Sequence, residues 1–238
     1  MQDRATKKEL KTVKVVALVP AYNEERRIAA TVKAILEIPE INAVSVIDDG
    51  SSDSTAEAAR NAGAQVISLA HNSGKGAALQ AGIDSLSQWP DILVLLDADL
   101  EQSASQVSLL LKPVIDGEAD MTIAQFPKPA TKAGFGFVMR LANFGIRSLG
   151  GPFHANAPLS GQRAINAEAL RCVLPFASGY GVEVALTIRA LRQGMRLLEV
   201  PTTMRHAATG RDISGIIHRG RQFLHVALAL LRLAFERR

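Results

Sequence analysis

Several absences narrow the choice of protein class before any motif is read. There is one cysteine, Cys172, among 238 residues, so this is no disulfide scaffold, and a lone thiol fits a reducing compartment. Aromatic residues make up only 5% of the chain, too few for a base-stacking surface, which argues against a general nucleic-acid binder. No run approaches the roughly 18 apolar residues of a membrane span. The best stretch, Phe223 to Phe235, is short and contains His225 and Arg232. Met1 to Lys14 is charged and lacks the apolar segment of a secretion signal, so the expected location is cytoplasmic. Internal repeats and an interdomain linker are also missing.

What is present is 47% hydrophobic residues spread along the chain, enough for one large domain over 13–238 behind a tail of residues 1–12. The net charge of +4 is unevenly placed. From Arg205 to the end, seven arginines face only Asp212 and Glu236, which leaves the rest of the chain nearly neutral. A basic tail of this kind points to an anionic substrate or to peripheral contact with the inner face of an anionic membrane.

Short apolar runs alternate with helical spacing through the first half. Val13–Val19, Ala43–Ile47, Gln65–Leu69, Ile92–Leu96 and Met121–Ala124 read as strands. Glu24–Leu36, a helix opened at Ser54 by a capping box, Gly76–Leu86 and Ser103–Ile115 read as helices. Continuously apolar strands interleaved with helices predict an α/β fold, a mostly parallel sheet covered on both faces. Ligands of such sheets bind beyond the carboxyl ends of the strands, and the polar clusters of this sequence stand at those ends. In the second half, Phe137–Leu149 is helical with Phe137, Leu141 and Phe144 on one side, Leu159–Ile165 reads as a strand and Val182–Arg192 as a helix. Pro201 puts a strand at Arg196–Met204 on a sheet edge. Ile213–Phe235 is a long amphipathic helix. Its residues Ile213, Ile216, Ile217, Leu224, Ala227, Leu228 and Leu231 either pack on the core or lie on a membrane surface.

Asp97-Ala98-Asp99 closes the fourth strand, and two carboxylates so placed can converge on one hard cation, Mg²⁺ or Mn²⁺, that keeps positions open for phosphate oxygens. In Asp48-Asp49-Gly50-Ser51 a strand-end carboxylate either shapes the turn or accepts a hydrogen bond from a base. Asn72-Ser73-Gly74-Lys75-Gly76 lets backbone approach a ligand beside a positive charge. It lacks the spacing of a phosphate-binding P-loop. Pro20-Ala21-Tyr22-Asn23-Glu24 stands after the first strand where a dinucleotide-binding enzyme would carry G-x-G-x-x-G, and the Gly134-Phe135-Gly136 run does not follow a strand.

In order and spacing, Val19 to Glu25, Asp48 to Ser51, Gly74 to Gly76 and Leu96 to Leu100 resemble the family-2 glycosyltransferases, whose nucleotide-sugar-binding fold is called GT-A. The resemblance covers residues 13–125 well and 126–238, the acceptor-side half, more loosely. It implies that Pro20, Ala21, Tyr22, Glu24 and Asp49 hold the nucleoside, uracil being the expected base, with Asp48 supporting the loop. Lys75 would lie by the diphosphate. Asp97 and Asp99, either side of Ala98, would engage the metal.

Leu159-Ser160-Gly161-Gln162-Arg163-Ala164 is similar to a segment of polyprenyl-phosphate sugar transferases, which implies Arg163 as an acceptor-phosphate contact and Glu101 as a further metal ligand. Gly179-Tyr180-Gly181-Val182-Glu183 and Arg205-His206 resemble glucosyl-3-phosphoglycerate synthases. That implies Glu183 on the acceptor side, as contact or catalytic base, and His206 as the residue completing the metal site. The helix dipole alone would also favour Glu183 where it stands. Arg205 and Arg211 are placed to meet phosphate or solvent. The expected activity is transfer of a sugar from a nucleoside-diphosphate sugar to a phosphate- or hydroxyl-bearing acceptor, such as a lipid-linked polyprenyl phosphate or a phosphoglycerate-like molecule. A sugar-phosphate nucleotidyltransferase and a non-catalytic nucleotide-sugar binder are the alternatives, and a homodimer is compatible with the sequence.

Overall fold

The computed structural model describes residues 13–127, 136–205 and 213–236. Seven strands form one sheet in the order β3-β2-β1-β4-β6-β5-β7. They are β1 (Val15–Ala21), β2 (Ala43–Asp48), β3 (Gln65–Ser68), β4 (Ile92–Leu95), β5 (Met121–Gln125), β6 (Arg163–Asn166) and β7 (Leu197–Pro201). Only β6 runs antiparallel to its neighbours, β4 and β5. The α/β, mostly parallel reading therefore holds, and β7 is an edge strand as its proline requires.

The helices are α1 (Ile28–Leu36), α2 (Thr55–Asn61), α3 (Lys75–Asp84), α4 (Val107–Ile115), α5 (Gly136–Leu149), α6 (Ala167–Val173), α7 (Val182–Arg192) and α8 (Ile213–Phe235). Strand periodicity sends alternate side chains of β1 to opposite faces. Val15, Ala17 and Val19 join the core under α1 and α4, while Val16 and Leu18 join the core under α3, α6 and α7. Burial of each valine or leucine among them stabilises the fold by about 1.5–3 kcal/mol. A third core, around Ile146, Val184, Ile188 and Val226, joins α5, α7 and α8.

Local chemistry moves several boundaries. Residues 24–27 form a turn, so α1 opens at Ile28. The cap of α2 comes from Asp53 and not Ser54: Asp53 Oδ1 accepts the Thr55 N–H at 3.0 Å, and Ser54 makes no capping bond. Residues Glu101–Gln106 form a 3-10 turn before α4. Helix α6 was not legible as a periodic run; it is capped by Asn166, whose side chain accepts the Ala169 N–H at 2.8 Å.

The structure resolves which faces of α5 and α8 pack. On α5, Phe137 and Phe144 are exposed and Val138, Ala142 and Ile146 are buried. On α8, Leu224, Leu228 and Leu231 are exposed, and the core face is Val226, Ala229, Leu230 and Leu233.

Candidate functional site

Order reverses between β1 and β4: the chain goes from β1 outward to β2 and β3, then returns to β4 on the other side. Connections leave that point on opposite faces of the sheet, which opens a crevice beyond the strand ends. A cleft of about 350 Å³ lies there. Six residues singled out from sequence line it together, Pro20, Ala21, Tyr22, Asp49, Lys75 and Asp97, joined by Asn72, Gly74, Gly179 and His225. A larger cleft of about 670 Å³ shares Asn72, Gly74, Gly179 and His225 with it and runs on between the 175–179 segment and α8, where Ser178, Leu228 and Arg232 line it.

The loops around the crevice are held by carboxylates. Asp48 Oδ1 accepts the Ser51 N–H at 3.1 Å, the loop support expected of it. Buried Asp49 accepts the Ser73 and Gly74 N–H groups, each at 2.8 Å, so it fixes the loop that leads into Lys75. Asn23, at φ +55°, accepts the Ser52 N–H at 2.9 Å and knits the first loop to the second. Glu24 does not line either cleft: its Oε2 accepts from Arg27 Nε at 2.8 Å. That bond raises the Arg27 guanidinium above its ordinary value, and burial opposes the rise while nearby Asp99 and Glu101 add to it.

Lys75 is the electrostatic centre. Its Nζ lies 2.6 Å from Asp97 Oδ1 and 2.9 Å from Glu183 Oε1. Burial alone would lower the ammonium's pKa, but the two carboxylates override it and hold Lys75 above the usual lysine range. The second oxygen of Asp97 accepts from Gln162 Nε2 at 2.6 Å. Gly161 leaves room beside them, since a Cβ there would push against the flexible end of Lys75 and lie 3.2 Å from Asp97 Oδ1. Glu183, in the first turn of α7, is nearly buried.

Past the strand end, Ala98 is buried and its carbonyl accepts from Thr31 Oγ1 at 2.8 Å. The same hydroxyl accepts the Glu101 N–H at 2.8 Å. Glu101 sits at φ +49°, so the turn that carries Asp99 is sharp and is pinned on both sides by one threonine. Asp99 is half-buried and Glu101 exposed. Among the described residues no group of three or more His, Cys, Asp or Glu side chains is arranged to hold a metal ion. Mg²⁺ and Mn²⁺ sites that use one or two carboxylates and leave the rest to substrate phosphates need no such group, and Asp97 with Asp99 fits that pattern.

Arg163 lines neither cleft. It lies on the face of β6 that carries Ile165, which points into the core under α6 and α7, and it is wholly buried. Nε donates to Ser160 O at 3.1 Å and Nη1 to Thr187 Oγ1 at 3.0 Å, while Nη2 has no hydrogen-bond partner among the described residues. Burial lowers its pKa to about 10, against the pull of Glu183 and Glu199. It presents no guanidinium to an acceptor. Arg205 is exposed, and its N–H donates to Ser103 Oγ at 3.2 Å, which brings that chain segment beside the 3-10 turn after Asp99. His206 and Arg211 lie outside the described residues, as does the Gly134-Phe135 part of the glycine run. Sequence reasoning missed Thr31, Gly161, Gln162 and His225 as parts of the site. For Gln162 and Gly161 the adjacency to Arg163 in a motif already noticed was the available signal.

A crevice at the switch point of such a sheet, lined by Asp97 and Lys75, is the setting of a glycosyltransferase of the GT-A type. The chain belongs to glycosyl transferase family 2, whose model matches residues 16–178. It is 30% identical to the glycosyltransferase AglJ of Haloferax volcanii over 83% of this chain and 65% of that protein. It is 29% identical to an undecaprenyl-phosphate mannosyltransferase of Micrococcus luteus over 80% of this chain and 83% of that one. The structure of glucosyl-3-phosphoglycerate synthase from Mycobacterium tuberculosis in complex with Mn²⁺, uridine diphosphate and phosphoglyceric acid superposes with a TM-score of 0.77 at 26% identity, covering 95% of this chain and 80% of that chain. The chain is thus a family-2 glycosyltransferase with the fold of that synthase.

Proposed function

We propose that this enzyme moves a sugar from a uridine-diphosphate sugar to an acceptor that carries phosphate. The observation that carries the reading is the continuity of two clefts: one at the strand ends with Asp49, Lys75 and Asp97, the other leading from it past His225 and Arg232. The first has the carboxylates and ammonium that a nucleoside diphosphate and its cation require, and the second is edged by basic groups.

In this reading Pro20, Ala21, Tyr22 and Asp49 form the nucleoside wall. Asp99, supported by Asp97, would hold Mg²⁺ or Mn²⁺, which when bound neutralises charge on the departing diphosphate. His206, one residue beyond the anchored Arg205, is the proposed third ligand, with Glu101 as its rival. Lys75 adds a fixed positive charge at the floor of the cleft, where it needs no rearrangement as the sugar–phosphate bond breaks. Gln162 and Lys75 fix both oxygens of Asp97. A phosphate acceptor is already anionic and needs no strong base. For a hydroxyl acceptor Glu183 is the proposed base, and it would have to release Lys75 to act. Arg205 and Arg211 are proposed to meet acceptor phosphate.

The test is a turnover assay with a panel of uridine- and guanosine-diphosphate sugars, Mn²⁺, and either a polyprenyl phosphate or 3-phosphoglycerate. The reading expects release of uridine diphosphate that rises with one of the two acceptors. No release with either acceptor, or release of pyrophosphate from a nucleoside triphosphate, would overturn it.

A further inference from the structure

Helices α5 and α8 carry apolar side chains that the core leaves out. On α8, Leu224, Leu228, Leu231 and Phe235 recur at helical spacing and are between 44% and 82% exposed, while Val226, Ala229, Leu230 and Leu233 face inward. The helix is therefore apolar on two opposite faces, and only one is used by the fold. On α5, Phe137 and Phe144 are 76% and 64% exposed. The two helices pack together, closely enough that a side chain at Gly145 would collide with Leu230.

The charge on these helices is of one sign. Residues 136–149 contain Arg140 and Arg147, and residues 213–235 contain Arg219, Arg221 and Arg232; neither stretch has an aspartate or glutamate. Glu236, which follows, is engaged by Arg189 Nη2 at 2.5 Å. An exposed apolar stripe accompanied by arginine and free of acid matches an anionic bilayer surface, where leucine and phenylalanine enter the headgroup boundary and guanidinium groups meet lipid phosphate. A second copy of the chain fits this charge badly, because pairing α8 with itself would set arginine against arginine with no carboxylate between them. No described helix is long and apolar enough to cross a membrane, so the contact would be made from one side.

We propose that α5 and α8 seat the protein on the surface of an anionic membrane. Leu228 belongs both to the exposed stripe and to the lining of the larger cleft, so the seated face adjoins that cleft. The inference rests on this patch and its charge and stands apart from the choice of donor and acceptor.

The experiment is co-sedimentation of the full chain, without nucleotide, with vesicles of phosphatidylcholine alone or mixed with phosphatidylglycerol. Binding to the mixed vesicles, weakened by salt, is expected. Leu224→Gln/Leu231→Gln should reduce the partition coefficient at least about tenfold, since two leucines lose their apolar contact. Arg140→Gln/Arg147→Gln should reduce it at low salt only. Both variants alter exposed side chains outside the clefts, and unchanged binding of uridine diphosphate with Mn²⁺ would show that they fold. Equal binding to phosphatidylcholine alone, no binding to either vesicle, or a dimer in sedimentation velocity that Leu224→Gln/Leu231→Gln dissolves would overturn the proposal. Vesicle binding is read without donor or acceptor, so its failure is distinct from a failure of the sugar-transfer reading.

Discussion

Lys75 Nζ stands 2.9 Å from Glu183 Oε1 and so ties the first residue of α3 to the first turn of α7 across the cleft floor. Asp97 Oδ1 takes the same ammonium, so one cation serves two carboxylates that come from opposite halves of the chain. Lys75→Met removes the ammonium paired with the nearly buried Glu183. The expected loss is about 3 kcal/mol in urea unfolding. Lys75→Met/Glu183→Gln should lose less than the sum of the single changes, by about 1–3 kcal/mol. The raised pKa of Lys75 sets the sign with pH: its contribution is complete below the ordinary lysine value of 10.5 and fades only as pH climbs through the higher folded value. The wild-type advantage over Lys75→Met should therefore show no Lys75-dependent change between pH 6 and pH 9.

Thr31 pins the turn that carries Asp99. Its hydroxyl bonds to Ala98 O and Glu101 N, the groups that flank Asp99. Thr31→Val keeps the shape and removes both bonds. It should cost about 1–3 kcal/mol of stability and weaken Mn²⁺-dependent nucleotide binding, while Thr31→Ser restores both. Calorimetric titration of uridine diphosphate with and without Mn²⁺ checks this, and equal metal dependence in wild type and Thr31→Val would refute it.

Two glycines should separate fold from site. At Gly76 a Cβ would strike the backbone carbonyl of Ala177, which a side chain cannot move aside. Gly76→Ala should therefore destabilise the protein by about 1–3 kcal/mol despite alanine's better helix propensity. At Gly161 the obstacle is the flexible end of Lys75. Gly161→Ala should melt near the wild-type temperature but bind nucleotide more weakly, because Lys75 must leave Asp97. Thermal melts paired with nucleotide titrations distinguish the two.

The end of α8 is fastened by Arg189, whose hydrogen bonds lower the Glu236 pKa below the ordinary 4.5, against a smaller desolvation effect. A depressed carboxylate stabilises the fold above its unfolded value and ceases to as pH falls through the lower folded value. Glu236→Gln should lower the melting temperature at pH 7, and its deficit should shrink as pH falls below about 4.5.

The sheet was legible because β1, β2 and β4 are continuous apolar runs that end in polar clusters, and a parallel sheet leaves its ligands at those ends. The six residues that line the cleft together belong to those strand-end clusters, and the resemblance of their motifs to a known family singled them out. Gln162 was not, since its bond to Asp97 depends on β6 entering the sheet antiparallel between β4 and β5, a pairing across 65 positions that no local pattern announces. Strand parity, and not its motif, decides which face of β6 Arg163 takes. On α8 the exposed stripe and the core stripe are both apolar, so periodicity identified the helix but not the face that packs.

The central claim is that Asp99 holds a divalent cation against a nucleoside diphosphate. The most direct measurement is calorimetric titration of uridine diphosphate into wild type and Asp99→Ala, each with and without Mn²⁺. The account predicts binding that Mn²⁺ strengthens in the wild type by about tenfold or more, and a loss of that strengthening in Asp99→Ala. Strengthening by Mn²⁺ that survives the substitution unchanged would contradict it.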